Sequence, residues 1–260
     1  MDWEERARQA AKTHPLKILP SLPKMVGITP KTQRFLKWKS LLYLVLNDKT
    51  RIIPRYLLKK PFKYTFSFIK SCLKGKSYLR DDDFFLYGFK NVEEFKESLK
   101  KENSLFIVGF SYCHKPFECP SGRFTEKCCH DATHPVCQQC FIGRVVHLLP
   151  QQRTIPLWIP TIHYIGEKIL EIGRKNPEKE IIFLITACEL TLEMFGDWGN
   201  MAGVKGIGVR LDGRICNTME AFKLSEEGIK PGLTVVLEKT QVRILDLIQE
   251  MSSAKGLRNA

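Results

Sequence analysis

The sequence predicts an α/β fold, a mainly parallel sheet flanked by helices, with a cysteine-rich metal-binding loop and a basic, mostly helical N-terminal extension. Three observations lead there. From residue 104 onward, apolar runs of strand length alternate with stretches of helical period, the pattern of a parallel sheet covered by helices. Between Ser111 and Phe141 the periodicity stops and cysteines crowd together. Up to Arg80 the chain holds 19 basic and 4 acidic residues, and beyond it 22 and 24, so the whole excess behind the +13 net charge lies in the first third. A length of 260 residues at 43% hydrophobic content supports a sizeable core and excludes wholesale disorder. The division predicted is an extension over residues 1–80 and a cysteine-rich α/β domain over residues 81–260.

Taken in order, the extension is interrupted by Pro15, Pro20, Pro23, Pro30, Pro54 and Pro61, which keep its helices short. Its best helical stretch is Thr32–Leu46, where Phe35, Leu36, Trp38, Leu42, Tyr43 and Leu46 share a broad face opposite Arg34, Lys37 and Lys39. Lys59–Lys70 alternates basic and aromatic residues and suits a strand or an irregular surface-binding segment. Asp81, Asp82 and Asp83 end the basic part, and a short charged helix follows over Val92–Lys101. Leu105–Phe110 is a compact apolar run, the mark of a buried strand, and it delivers the chain into the loop Ser111–Phe141. Helices are then expected over Ile162–Lys175, Leu190–Phe195, Asn217–Ser225 and Gln241–Met251. Strands are expected over Glu180–Thr186, Val204–Leu211 and Leu233–Glu238, all in one sheet with the run from Leu105. The longest uncharged apolar windows fall short of the roughly 20 residues that cross a bilayer. The start of the chain lacks a secretory signal, which places it in a reducing cytosol, where clustered thiols hold metal more often than they form disulfides.

Nine cysteines fix the chemistry to look for. Cys113, Cys119, Cys128, Cys129, Cys137 and Cys140 lie in the one loop, and Cys137-Gln-Gln-Cys140 puts two thiols on one tight turn, ready for the same ion or cluster face. Cys188 and Cys216 are remote in sequence, yet each follows a predicted strand and precedes a predicted helix. The carboxyl ends of parallel strands are where open α/β sheets bind ligands, and a helix start favours a thiolate. All eight are therefore candidate metal and cofactor ligands, enough for one or two iron–sulfur clusters. Zinc is the alternative, kept open by His114, His130 and His134. Irregular spacing and ligands drawn from across the fold favour iron–sulfur. Cys72 reads as a small buried hydrophobe.

Other residues carry less. Glu189 reads as a dipole partner in the first turn of a helix, and Asn217 and Thr218 as a helix cap. Arg123, Arg144, Arg210 and Arg214 are either anion holders near the cysteines or solvated side chains. No Gly-x-Gly-x-x-Gly lies between a strand and a helix.

Tyr112-Cys-His, Cys119-Pro, Cys137-Gln-Gln-Cys140, Ile185-Thr-Ala-Cys-Glu-Leu190 and Gly208-Val-Arg-Leu-Asp-Gly-Arg-Ile-Cys-Asn-Thr218 together resemble the family catalogued as domain of unknown function 116. These are cysteine-rich prokaryotic proteins, often with an N-terminal membrane segment, whose biochemical role is not established. The resemblance covers Ser104 to Leu237 and implies cysteine positions at Cys113, Cys119, one of Cys128 and Cys129, Cys137, Cys140, Cys188 and Cys216. The first third departs from it, being basic and amphipathic where the family's segment spans. The basic residues interleaved with Trp38, Tyr43, Tyr56, Phe62, Tyr64, Phe66 and Phe68 suit either nucleic acid or an anionic membrane surface. The resemblance favours the membrane. The expectation that follows is a cytoplasmic iron–sulfur protein of redox or electron-transfer role, peripheral on the inner face of the cell membrane. Its rivals are a zinc-stabilised, non-enzymatic module that binds nucleic acid or membrane through the basic extension, and a thiol enzyme with Cys188 as nucleophile.

Overall fold

The computed structural model describes residues 2–17, 24–51, 54–55, 58, 61–62, 65–66, 69, 78–202 and 205–256, with backbone alone at 197–202 and 252–256. Its sheet begins where the charged Asp81–Asp83 run was read as the end of the basic part. There Asp82, in the left-handed conformation at φ 55°, turns the chain between β1 (Leu79–Asp81) and β2 (Phe84–Tyr87). Asp83 is buried and closes the turn, accepting from Arg210 Nη2 at 2.7 Å and from Thr240 Oγ1 at 2.7 Å. The parallel strands are β3 (Ser104–Ser111), β4 (Thr154–Ile159), β5 (Glu180–Ala187) and β6 (Lys205–Arg210). The sheet order is β1-β2-β6-β5-β3-β4, with β1 and β2 antiparallel. The strand expected over Leu233–Glu238 is a correction. Only β8 (Thr234–Val235) forms there, and it pairs with β7 (Asp212–Gly213) in a separate two-stranded sheet.

The helices with bounds among the described residues are α1 (Trp3–Thr13), α2 (Pro30–Gln33), α3 (Leu36–Leu46), α4 (Val92–Lys100), α5 (Pro135–Gln139), α6 (Phe141–Leu148), α7 (Ile162–Lys175), α8 (Glu189–Ala202), α9 (Met219–Glu226) and α10 (Glu238–Gly256). Side chains alternate across the pleat. Phe106, Val108, Phe110, Ile182 and Leu184 face α4, α6 and α10, while Leu105, Ile107, Phe183 and Ile185 face α7 and α8. The long helix over Ile162–Lys175 follows from this, since Ile162, Ile165, Ile169 and Ile172 repeat on one buried face. Thr161 caps it, accepting from Tyr164 N at 3.1 Å.

This winding positions the site. From β3 the chain passes to β4 on one side and then back across to β5 on the other. The order reverses between β3 and β5, and their carboxyl ends open on a crevice. A third apolar cluster closes that end, joining Leu36, Tyr43 and Leu44 of α3 to Leu190, Met194, Phe222, Cys188 and Cys216.

Helices α1 and α3 of the extension pack onto the domain. α1 lies along α5, with Glu4 2.6 Å from Arg144 and the Trp3 ring 4.9 Å from His147. The single helix expected over Thr32–Leu46 is two, because Phe35 takes a left-handed conformation between α2 and α3 at φ 59°. The break also divides the expected apolar face: Leu36 and Tyr43 are buried, whereas Phe35, Trp38, Leu42 and Leu46 are exposed. In Lys59–Lys70 the described residues Pro61, Phe62, Thr65, Phe66 and Ile69 are helical, which corrects the strand or irregular reading. Tyr56, Tyr64, Phe68 and Cys72 lie outside the described residues. Among the described residues no helix is long and apolar enough to cross a membrane.

Candidate thiol site

β3 ends at Ser111, whose hydroxyl accepts from Cys113 N at 3.4 Å and starts a tight 3-10 turn over Tyr112–His114. That turn leaves Cys113 buried at the mouth of the crevice. β5 ends at Ala187, so Cys188 follows at once and stands at the start of α8, its sulfur 3.2 Å from Thr191 Oγ1. Cys216 arrives from the far side, between β7 and α9, where its thiol donates to Ala221 O at 3.5 Å beside Cys188. Buried Lys230 comes from beyond α9 and places Nζ 3.1 Å from Cys216 Sγ. Cys113, Cys188, Cys216, Thr191 and Glu226 line a narrow cavity of about 40 Å³ at this point.

Electrostatics divide the pair unequally. The neighbouring Cys216 side chain, against the cost of burial, holds Cys188 well below the usual thiol range; Lys230 and Thr191 act in the same direction. Cys216 is driven up by the adjoining Cys188 sulfur, by burial and by the charge on that neighbour. The two sulfurs thus share one proton and one negative charge. We place the charge on Cys188, although Lys230 touches Cys216, because Cys216, Lys230 and Thr191 all lower Cys188 while burial and its charged neighbour raise Cys216. Burial alone would lower Lys230, but Cys113, Cys188 and Cys216 outweigh it and keep the ammonium charged. Burial pushes Glu226 up to about 8, even though its carboxylate accepts from Ile162 N at 2.9 Å.

The other five cysteines form a second group. Lys115, 1% exposed, sits at its centre and donates to Lys127 O at 2.6 Å, Thr125 O at 2.9 Å, Thr125 Oγ1 at 3.1 Å and Gly122 O at 3.3 Å. Burial lowers its pKa, opposed by Cys119, Cys128, Cys140 and Cys129 around it. Cys129, exposed, lies 3.6 Å from Cys137, and burial pushes Cys137 up to about 12. Cys140 occupies the cap position of α6 and is raised by burial to about 11 against the pull of the Gly143 and Ile142 amides.

The structure therefore brings the predicted ligands together as Cys113, Cys188 and Cys216 at the sheet, and Cys119, Cys128, Cys129, Cys137 and Cys140 in the loop. Among the described residues, no three Cys, His, Asp or Glu side chains are arranged to hold a metal ion. The histidines have local roles. His134 accepts from Val136 N at 3.2 Å to cap α5, His130 contacts Cys128 O at 3.1 Å and stacks on Trp158, and buried His114 is held neutral, its pKa pushed down to about 4. Of the arginines, Arg123 alone joins the site, through Cys113 O at 3.2 Å. Arg144 pairs with Glu4, Arg210 with Asp83, and Arg214 contacts the Met25 sulfur at 2.9 Å. Glu189 pairs with Arg80 at 3.0 Å, and Thr218 caps α9. Lys115, Lys230, Thr191 and Glu226 are site residues that sequence reasoning did not single out.

Comparison with protein-family profiles, curated proteins and solved structures finds no match to this chain. The site is read from its own chemistry.

Proposed function

We propose that this chain is a thiolate-ligated metal protein, with iron–sulfur as its cofactor and a redox or electron-transfer role. One observation carries the reading: eight cysteines from distant parts of the chain gather into two groups, each built around a buried ammonium. Soft thiolates are the donors that iron–sulfur clusters take, and cations beside them offset the negative charge of a thiolate-held cluster. The loop group has five cysteines, enough in number for a four-thiolate set once deprotonated by a bound cluster, and the sheet group adds three at the crevice. Bound there, a cluster supplies one-electron transfer. The chain's own residues hold its charge through Lys115 and Lys230 and exclude water by burying Cys113, Cys188 and Cys216. Because the thiols are near one another without a ligating arrangement, binding and final ordering of the loop are coupled. The resemblance to the domain of unknown function 116 family points the same way.

Anaerobic purification followed by iron, sulfide and zinc analysis tests this. Brown protein with acid-labile sulfide is expected, bleached by Cys137→Ser or Cys140→Ser. Stoichiometric zinc without sulfide replaces the reading with the zinc-stabilised module. A colourless, metal-free protein in which Cys188 alkylates at neutral pH favours the thiol-enzyme reading, which the lowered pKa of Cys188 beside Lys230 and Thr191 supports.

The partner we propose is an anionic membrane surface on the cytoplasmic side. Among the described residues, nine of the sixteen exposed large hydrophobics lie between Val26 and Ile69, within the basic third of the chain. Leu58, Phe62, Phe66 and Ile69 recur at helical spacing among lysines, a pattern that lies in a headgroup zone.

A further inference from the structure

We infer that the pocket between α3 and the start of α9 binds an anionic amphiphile, a phosphate or carboxylate head on an acyl tail. This goes beyond the thiol centre and gives the proposed membrane contact a specific lipid site, so it rests on that reading only if the ligand comes from a bilayer.

The cavity measures about 450 Å³, a size that small ligands fill. One wall is aliphatic. Leu42 and Leu46 stand one turn apart on α3, 60% and 71% exposed, and Met219 faces them from α9. The rim is basic: Lys31, Lys39 and Lys223 line it, with Glu220 as the single lining carboxylate among the described residues. Lys39 is fixed in place, since its ammonium donates to Lys31 O at 2.6 Å and Thr32 O at 3.3 Å. A cation already ordered loses little freedom when an anion arrives.

The two surfaces together select the ligand class. A small inorganic anion would leave the leucines in water, and a neutral hydrocarbon would gain nothing from the basic rim. Nucleic acid would use aromatic faces for stacking, whereas Tyr43, the ring in this lining, is buried. An acyl tail against Leu42 and Leu46 with its head among the three ammonium groups satisfies both. The lining comes from α2 and α3 of the extension and from α9 of the domain, so the ligand would bridge the two.

The test uses the full chain. Calorimetry is run with monomeric dodecyl phosphate and with neutral dodecyl maltoside, and sedimentation with vesicles of phosphatidylglycerol mixed into phosphatidylcholine and of phosphatidylcholine alone. The variants are Leu42→Glu and Lys223→Glu, both at exposed positions, with Leu46→Glu in reserve should the first fail to fold. Dodecyl phosphate is expected to bind one-to-one, with dodecyl maltoside and each variant weaker by at least about tenfold. Loss of anionic-vesicle binding in the same variants makes a membrane lipid the source. Vesicle binding unchanged while dodecyl phosphate is lost makes the ligand a soluble one and leaves the membrane contact to other residues. The inference is overturned if dodecyl phosphate does not bind, if the maltoside binds equally well, or if a single-stranded oligonucleotide competes for the pocket in a way that Lys223→Glu abolishes and Leu42→Glu does not.

Discussion

Glu226 faces the thiols at the crevice, and its titration runs opposite to that of a salt-bridged acid. Burial holds its proton on the folded chain up to about 8, while the unfolded chain releases it near the model-compound value of 4.5. Between those values the folded state binds the extra proton. The stability this group contributes is therefore complete below 4.5 and lost as pH rises to 8. Glu226→Gln keeps an oxygen for the Ile162 amide and removes the titration. In urea denaturation of reduced, metal-free protein, the wild-type midpoint should fall relative to the variant between about pH 5 and about pH 8.5. Parallel curves would show that the carboxyl titrates as if solvated. This group, like Lys115 and Lys230, was invisible in the sequence for a plain reason. Charged side chains are mostly solvated, and among 41 basic and 28 acidic residues nothing in linear spacing marks the few that are buried. The cysteines were legible because so dense a set has few bland explanations, and because Cys188 and Cys216 follow strands whose periodicity is plain.

Elements were legible in proportion to their length and regularity. α7 and β5 stand close to where their apolar repeats put them, at Ile162–Lys175 and Glu180–Ala187. β4 escaped because Pro156 interrupts it, a residue tolerated there because β4 is an edge strand. The β1–β2 hairpin escaped because three aspartates look like a linker until Asp83 is seen buried between Arg210 and Thr240. α5 and the start of α6 were hidden inside a loop whose residues carry no period, and here a glycine does the packing. A Cβ on Gly143 would stand 2.6 Å from the Cys137 carbonyl oxygen, an atom of backbone that cannot turn aside. Gly173 of α7 is the contrast, since its added Cβ would meet only the end of Ile181, at 3.3 Å. Gly143→Ala should cost about 1–3 kcal/mol through overpacking. Gly173→Ala should be neutral or stabilise by up to about 1 kcal/mol through helix propensity. Urea denaturation of the two variants checks the opposite signs, and equal effects would mean that α5 does not sit against α6 as described.

At the scale of the whole molecule, the two thiol groups are joined through one side chain. Arg123 donates from Nε to Lys115 O at 3.2 Å, from Nη1 to Lys230 O at 3.0 Å, and from Nη2 to Cys113 O at 3.2 Å and Gly232 O at 2.5 Å. Its guanidinium lies 4.5 Å from the centre of the Phe117 ring. The backbone of each central lysine, one amid the loop thiols and one amid the sheet thiols, is therefore tied to the same cation. Removing Arg123 should loosen both groups, whereas removing Lys115 should loosen only the loop. Arg123→Met keeps the stem and deletes the donors, leaving carbonyls that each cost about 1–3 kcal/mol when buried and unpaired. If local opening becomes easier by about 3 kcal/mol, alkylation limited by that opening quickens by roughly a hundredfold. In reduced, metal-free protein, residue-resolved mass spectrometry of iodoacetamide labelling should show the exposed Cys129 reacting first in the wild type. Cys113, Cys188 and Cys216 should then quicken together with Cys119, Cys128, Cys137 and Cys140 in Arg123→Met, while Lys115→Met quickens the loop set alone. Acceleration confined to one group in Arg123→Met would mean that the loop and the sheet end open independently, and that the two centres are neighbours in the fold without being mechanically coupled.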